Sequence, residues 1–334
     1  MLNSLRLTLV TLVTLVTWLL VLAVAFAQFG EPAPERYYLL GRLARVPVQV
    51  DLHLQPADDT LGEVGGQLFY ETTGEIVMVS GTIDQRNRVA LQLTSDMGEI
   101  IGSVTGSLTT TALEGNYTPI GASVSPINWQ IVALYASLRF NQRRIETATH
   151  VPQFTTSASI LNRHWQQDAF ADNLQFAREG QLDVPEYDLF GYWLEDNYDI
   201  AYYADDFVSV LRVYHVYGGG AHPNLFYEAY NVGIGQDIVE LSLSDVLTSD
   251  GVAFVSEYVL DTLAERGASF VLSGDIADLS EDDMSVFVVS PRGLHLHFAP
   301  YAVASYAEGT FEVVVPWEML AEYVFADSPL VRFL

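Results

Sequence analysis

Four histidines, His215, His222, His295 and His297, lie at or near the ends of strand-like segments in the second half of the chain. His222 follows Gly218-Gly219-Gly220-Ala221 and precedes Pro223, while His295 and His297 open the run His295-Leu296-His297-Phe298-Ala299-Pro300-Tyr301. Residues two apart on a strand share a face. His295 and His297 would therefore point to one side, and with His222 they would supply the three imidazoles that a zinc ion accepts. No compact ligand motif accompanies them. The competing reading is that His222 or His295 fixes a loop by hydrogen bonding, while His297 is partly buried and polar at its tip. No metal and no other cofactor is assigned.

Other reaction chemistries find less support. Asp275, Asp278, Glu281, Asp282 and Asp283 are close in sequence, but acid–base hydrolysis needs two carboxylates in different environments, held across the scissile bond. Their polar setting reads as solvated charge, and their spacing lacks the glycine and terminal glutamate of a calcium loop. No serine sits in a G-x-S-x-G elbow, and the Gly218–Gly220 run lacks the Lys-Ser/Thr continuation of a phosphate loop. No catalytic residue is assigned. Aromatic residues argue better for binding: Tyr214, Tyr217, Phe226, Tyr227, Tyr230, Tyr301 and Tyr306 gather around the two histidine segments. Tyrosine offers rigid apolar area with a polar end, although core packing also claims the alternating members. The candidate binding set is His222, Tyr217, Tyr301, Tyr306 and His295, with Tyr301 and Tyr306 on a loop delimited by Pro300 and Gly309.

The elements that must position these residues divide in two. Residues 36–122 alternate as a series of short strands separated by turn residues, with glycines at 65, 66, 81, 102, 106 and 115. Glycine on a strand marks a bend or a close backbone approach, so this module reads as a strongly curved antiparallel sheet or a small open barrel. It serves as a scaffold or, through Tyr70 and Tyr117, as a groove. Residues 123–150 read as a connecting strand region, and residues 151–334 as an α+β module. Ser157–Arg178 reads as a helix with a break near its middle. Tyr198–Tyr203, Phe207–Tyr217, Leu225–Asn231 and Val239–Leu243 read as an antiparallel meander. On Phe207–Tyr217 the residues Phe207, Leu211, Val213, His215 and Tyr217 share a face that Ser209 interrupts. Asp250 is placed to cap a helix over Gly251–Glu265 that Gly267 ends, with Val252, Val255, Val259 and Leu263 as its stripe. Pro316 is placed in the first turn of a short helix reaching Val324. Sheet and helices in one module make the fold class α+β.

Composition bounds the partners. The chain has 334 residues, no cysteine, and 42 acidic against 15 basic residues, all of them arginine, for a net charge of -27. Such a charge repels a phosphate backbone, and Arg143-Arg144 is the one adjacent basic pair, so nucleic acid is excluded as a partner class. Without cysteine there are no disulfides, thiolate nucleophiles or thiolate metal sites. Residues 7–27 carry no charge after Arg6 and close on Ala25-Phe26-Ala27, the pattern of a signal peptide; their length also suits an uncleaved membrane anchor. Residues 28–35 form a Pro-containing spacer. The expectation is an extracytoplasmic protein, periplasmic or secreted, whose contact with the membrane is confined to residues 7–27.

The second module resembles DUF3298, an extracytoplasmic bacterial family commonly preceded by a DUF4163-like region. The resemblance spans about Val151 to Leu334. It rests on the order of Pro152-Gln153-Phe154, Tyr203 with Phe207-Val208-Ser209-Val210, Gly220-Ala221-His222-Pro223, Leu241–Leu247, Phe298-Ala299-Pro300-Tyr301, and Gly309 leading to Val315-Pro316-Trp317. That family occurs in the sensor part of a lysozyme-binding anti-sigma factor and beside the catalytic domains of peptidoglycan deacetylases. The resemblance implies an α+β binding or accessory module at the cell envelope, with no catalytic residues to carry over. It makes an envelope protein or a peptidoglycan-derived ligand the expected partner. The alternative is an envelope hydrolase acting on peptidoglycan or glycan through an unrecognised site.

Overall fold

Side chains alternate between buried and exposed along β5 (Arg88–Ser95), where Val89, Leu91 and Leu93 point inward and their neighbours face solvent. The same period runs through the first half of β3 (Leu61–Tyr70) and of β4 (Ile76–Asp84), as expected when one face of a sheet closes on a core, whereas β2 (Val46–Gln55) is buried on both faces from Val48 to Leu52. With β1 (Glu35–Leu43), β6 (Ile100–Leu108), β7 (Ala112–Pro119) and β8 (Ser125–Gln142), these strands pair antiparallel in sequence order, and β1 pairs back to β8. The module expected as a curved sheet or open barrel is thus a closed barrel of eight strands. A barrel of this size has an interior that side chains fill, and here Leu39, Val50, Leu68, Leu93, Leu113 and Trp129 do so. Trp129 donates from its indole N–H to the Arg42 carbonyl at 3.1 Å, and its ring occupies the space where a side chain at Gly41 would lie. Gly106 and Gly115 face each other on β6 and β7, where a Cβ on either would strike the other strand's backbone. Tyr117, considered above as a groove residue, is 7% exposed and belongs to the barrel core.

The computed structural model describes residues 35–55, 61–183, 191–235 and 237–334. The leader expected at residues 1–27 and all of the expected spacer (28–35) but its last residue lie outside the described residues; Glu35 already belongs to β1. Among the described residues no helix is long and apolar enough to cross a membrane.

β8 serves two assemblies. Its first half closes the barrel and its second half pairs with β9 (Ile145–Phe154). The connecting turn is Arg143-Arg144, with φ of 50° and 68°. A 3₁₀ turn (Ser157–Leu161) and helix α1 (Asn162–Asp183) then cross over, and β10 (Tyr192–Ala204) lies parallel to β9. The sequence placed a break in the middle of this helix. The discontinuity lies earlier, at Asn162, whose side chain accepts from the Phe154 N–H at 2.7 Å and donates to the Phe154 carbonyl at 2.9 Å. The meander follows as expected, through β11 (Phe207–Tyr217), β12 (Asn224–Ile234) and β13 (Ile238–Glu240), all antiparallel.

Both faces of this sheet are covered near Phe207–Val210. Trp165 and Ala169 of α1 pack on one face with Phe154, Tyr198, Val208 and Val210. Tyr202 and Phe207 on the other face join a core with the helix over Ser249–Glu265 and a three-stranded sheet, β14 (Phe287–Ser290), β15 (Gly293–Phe298) and β16 (Phe311–Pro316). α2 (Leu243–Val246) precedes α3 (Ser249–Glu265), which buries Val255, Val259 and Leu263 as the sequence stripe requires. The cap of α3 is Thr248, whose hydroxyl accepts from the Gly251 N–H at 3.2 Å; Asp250 lies inside the first turn, favourable there through the helix dipole. Gly267, with φ 86°, ends the helix. α4 (Ser269–Leu272) follows, and α5 (Trp317–Leu320) is shorter than expected, with Pro316 as its N-cap.

The architecture is therefore an antiparallel β-barrel followed by an α+β region. They meet at polar side chains from the barrel wall. The Gln49 amide accepts from the Tyr203 N–H at 3.0 Å and donates to the Tyr203 carbonyl at 2.8 Å, imitating a neighbouring strand. Arg36 grips Asp51 of β2 and reaches Asp199 of β10 at 2.7 Å.

Candidate functional site

β11 ends at Tyr217, and the three glycines that follow turn the chain, Gly219 and Gly220 having φ of 93° and 101°. Those values are costly for any residue with a Cβ. The Tyr217 hydroxyl donates to the Gly220 carbonyl at 3.1 Å and fastens the turn. His222 emerges from it. Its Nδ1 lies 2.9 Å from the Pro223 carbonyl, which only accepts, so Nδ1 carries a proton.

The second segment meets the first here. The Tyr306 ring stacks on His222 with centroids 3.7 Å apart and 21° between planes, and its hydroxyl donates to the Pro223 carbonyl at 2.7 Å. Tyr301 lies 6.3 Å from His222 and 5.6 Å from Tyr306 between centroids, with its hydroxyl 3.4 Å from Nε2 of His222. Tyr306 sits in a 3₁₀ turn (Tyr306–Glu308) held by a capping box between Ser305 and Glu308. Hydrogen bonds from the Ser305 and Ser269 hydroxyls hold the Glu308 carboxyl below its ordinary range. Tyr301 occupies the third position of a turn closed by the Ala302 N–H on the Ala299 carbonyl at 3.0 Å. With Pro300 at the second position, a positive φ falls at the third, where glycine is the unstrained residue. Tyr301 stands there with φ 72° and is 56% exposed. A bulky side chain kept in a disfavoured backbone region, facing water, points to a use for that side chain.

His295 has different partners. Its Nδ1 donates to Oε1 of Glu312 at 2.6 Å, and its Nε2 lies 2.7 Å from the Ser290 hydroxyl. The His295 hydrogen bond holds the Glu312 carboxyl below its ordinary range. The order serine, histidine, carboxylate matches that of a hydrolytic relay. Acyl transfer also needs backbone N–H donors for the oxyanion. Beside Ser290, however, Pro291 has no N–H, and the Arg292 N–H donates to the Ser290 hydroxyl at 3.0 Å. The chain ties β14, β15 and β16 together. His297 packs against Tyr227 at 5.5 Å, and burial lowers its pKa.

Of the sequence candidates, His222, Tyr301 and Tyr306 form one cluster, Tyr217 braces the turn that delivers His222, and His295 belongs to a separate hydrogen-bonded chain. The three imidazoles considered for zinc do not converge, and among the described residues no group of three or more His, Asp or Glu side chains is placed to hold a metal ion. Each histidine was already committed to a neighbour that spacing alone does not reveal. Sequence reasoning missed Arg212. Its guanidinium meets Asp196, Asp172 and Glu228 at 2.8–3.0 Å and lies over the Tyr198 and Tyr214 rings. An arginine isolated between Leu211 and Val213 in a strand was the available signal.

The model of DUF3298, a protein family of unknown function, matches residues 245–318, from α2 into α5. This segment contains Tyr301 and Tyr306; His222 lies before it. It is shorter than the Val151–Leu334 span of the sequence resemblance. Two solved structures are similar to the chain. A member of the DUF3298 family from Bacteroides fragilis shares 14% identity, with 58% of this chain and 94% of that chain covered at a TM-score of 0.39. A DUF3298 family protein from Pseudomonas aeruginosa PAO1 shares 14% identity, with 58% and 93% covered at a TM-score of 0.36. No curated protein matches the sequence.

Proposed function

We propose that this chain is an exported cell-envelope protein that binds a peptidoglycan-derived ligand on the His222, Tyr301 and Tyr306 cluster. The observation that carries the reading is Tyr301, exposed and held at φ 72° beside a stacked histidine and tyrosine. Aromatic faces with polar tips suit sugar rings, which present flat C–H surfaces edged with hydroxyls. Export is supported by the uncharged run at residues 7–27 with its Ala-Phe-Ala ending and by the absence of cysteine. An envelope role agrees with the sequence resemblance, which implies a binding or accessory module. On this reading the chain is a binding protein and the barrel is its scaffold.

The test is retention of the purified chain on insoluble peptidoglycan, repeated at raised salt. Retention that survives salt and falls when soluble muropeptide competes supports the assignment. Release at moderate salt, or retention of an envelope protein in place of the glycan, contradicts it.

A further inference from the structure

We propose that the open edge of β12 receives an extended basic polypeptide segment as an added strand. This inference is independent of the aromatic cluster. β13 covers only Val232–Ile234 of β12, and the Leu241 N–H donates to the Asn231 carbonyl just beyond them at 2.7 Å. The backbone N–H and C=O of a strand residue point to the same side, alternating along the strand. The groups on the Asn231 side two, four and six residues earlier are therefore those of Ala229, Tyr227 and Leu225. Among the described residues, none of these has a backbone hydrogen bond on that side.

A groove of about 880 Å³ runs along this edge. Five consecutive residues of β12, Tyr227 to Asn231, line it. A strand seen face-on would contribute alternate residues, so the groove meets β12 along its backbone edge. Ser285–Phe287 also line it. The backbone of that segment is already engaged, since the Val286 carbonyl accepts from the His297 N–H and the Phe287 carbonyl accepts from the Asn231 amide at 2.7 Å. The last bond closes one end. An incoming strand thus finds free partners on β12 and enters from the Leu225 side.

The charge of the groove selects the occupant. Glu228, Glu240, Asp245, Glu281 and Asp282 line it without an arginine or histidine. Glu228 is paired with Arg212, Asp245 with Ser242 and Glu281 with the Ser244 N–H, which leaves Glu240 and Asp282 to meet a partner. Native proteins protect open strand edges with charge. A chain of net charge -27 is repelled from such an edge, so the carboxylates oppose pairing with a second copy. They admit arginine- or lysine-bearing segments, for which main-chain bonds supply affinity and alternate side chains supply selection.

The test uses the full chain with a short peptide alternating arginine and valine. A control peptide of the same sequence is N-methylated at alternate amides, which keeps its charge and removes its donors. Fluorescence anisotropy should show the control binding about tenfold more weakly or worse. Hydrogen exchange at the Leu225, Tyr227 and Ala229 amides should slow when the unmodified peptide is added. The exposed Glu240→Arg and Asp282→Arg changes should weaken the peptide about tenfold together, while Tyr301→Ala leaves it unchanged. Equal binding of the two peptides, or protection away from β12, would show nonspecific electrostatic attraction and overturn the proposal. Absence of binding would overturn it as well.

Discussion

The imidazole of His222 lies flat against the ring of Tyr306, and both groups are anchored to the same acceptor, the Pro223 carbonyl. One carbonyl oxygen thereby sets the position of two rings carried by segments more than eighty residues apart in the chain. Neither ring can tilt without giving up a hydrogen bond. The cluster is preorganised, with Tyr301 as its exposed member, and preorganisation reduces the ordering cost of binding.

Replacing Tyr301 separates stability from recognition. At φ 72° a Cβ is strained and glycine is not. Tyr301→Gly should therefore be more stable than Tyr301→Ala by about 1 kcal/mol, as read from denaturant midpoints, while both lose muropeptide binding to the same extent. If the alanine variant is the more stable, the backbone is not strained at this position.

Acid should weaken the ion pair that joins β1 to β2 in the barrel wall. Arg36 draws the Asp51 carboxyl down to about 2 against the opposing effect of burial. A carboxylate with a depressed folded pKa contributes stability above its unfolded value, and that contribution is lost as pH falls through the folded value. The window is therefore roughly pH 4 to 2, and the loss is about 2 kcal/mol. Asp51→Asn should flatten the pH dependence of unfolding within that window, and an unchanged slope would remove the assignment.

Ser209 joins two sheets. Its hydroxyl donates to the Asn231 side chain at 2.7 Å and accepts from the Val289 N–H at 2.9 Å, while Asn231 donates to the Phe287 carbonyl. Ser209→Ala leaves a buried N–H and a buried amide oxygen without this partner. Unsatisfied groups of this kind cost about 2 to 3 kcal/mol, a loss that equilibrium unfolding would register. A change below about 0.5 kcal/mol would place water at the junction.

Arg212→Leu should be still more damaging. Asp196 is fully buried, and Arg212 meets it through two nitrogens, so the variant would strand its carboxyl. Breaking one side of a buried pair costs about 3 to 5 kcal/mol. Arg212→Leu combined with Asp196→Leu should recover much of that loss. If the double variant is no better than the single one, the two residues do not act as a pair.

Much of this fold was legible because a small barrel imposes a strict local rule. Inward positions must alternate, and bends such as Gly106 and Gly115 must give up their side chains, so period and glycine placement exposed the module. Closure was not legible, since pairing of β1 with β8 joins distant segments and leaves no mark on either strand. The parallel pairing of β9 and β10 was equally silent: the helix between them announced itself, but its crossover did not. Ser209 was visible as an interruption of an apolar face, and its cause emerged only when β14 was found packed against β11. Within the site, sequence located both loop ends and their rings. It could not show that His222 pairs with Tyr306 while His295 turns to Ser290 and Glu312, because those choices are made between strands.

The most direct test of the central claim is calorimetric titration of a soluble muropeptide into the full chain, compared with Tyr301→Ala and His222→Ala. The native chain should bind saturably and each variant should lose about tenfold or more in affinity, with unfolding midpoints showing that both variants remain folded. Undiminished affinity in the folded variants, or no heat with the native chain, would contradict it.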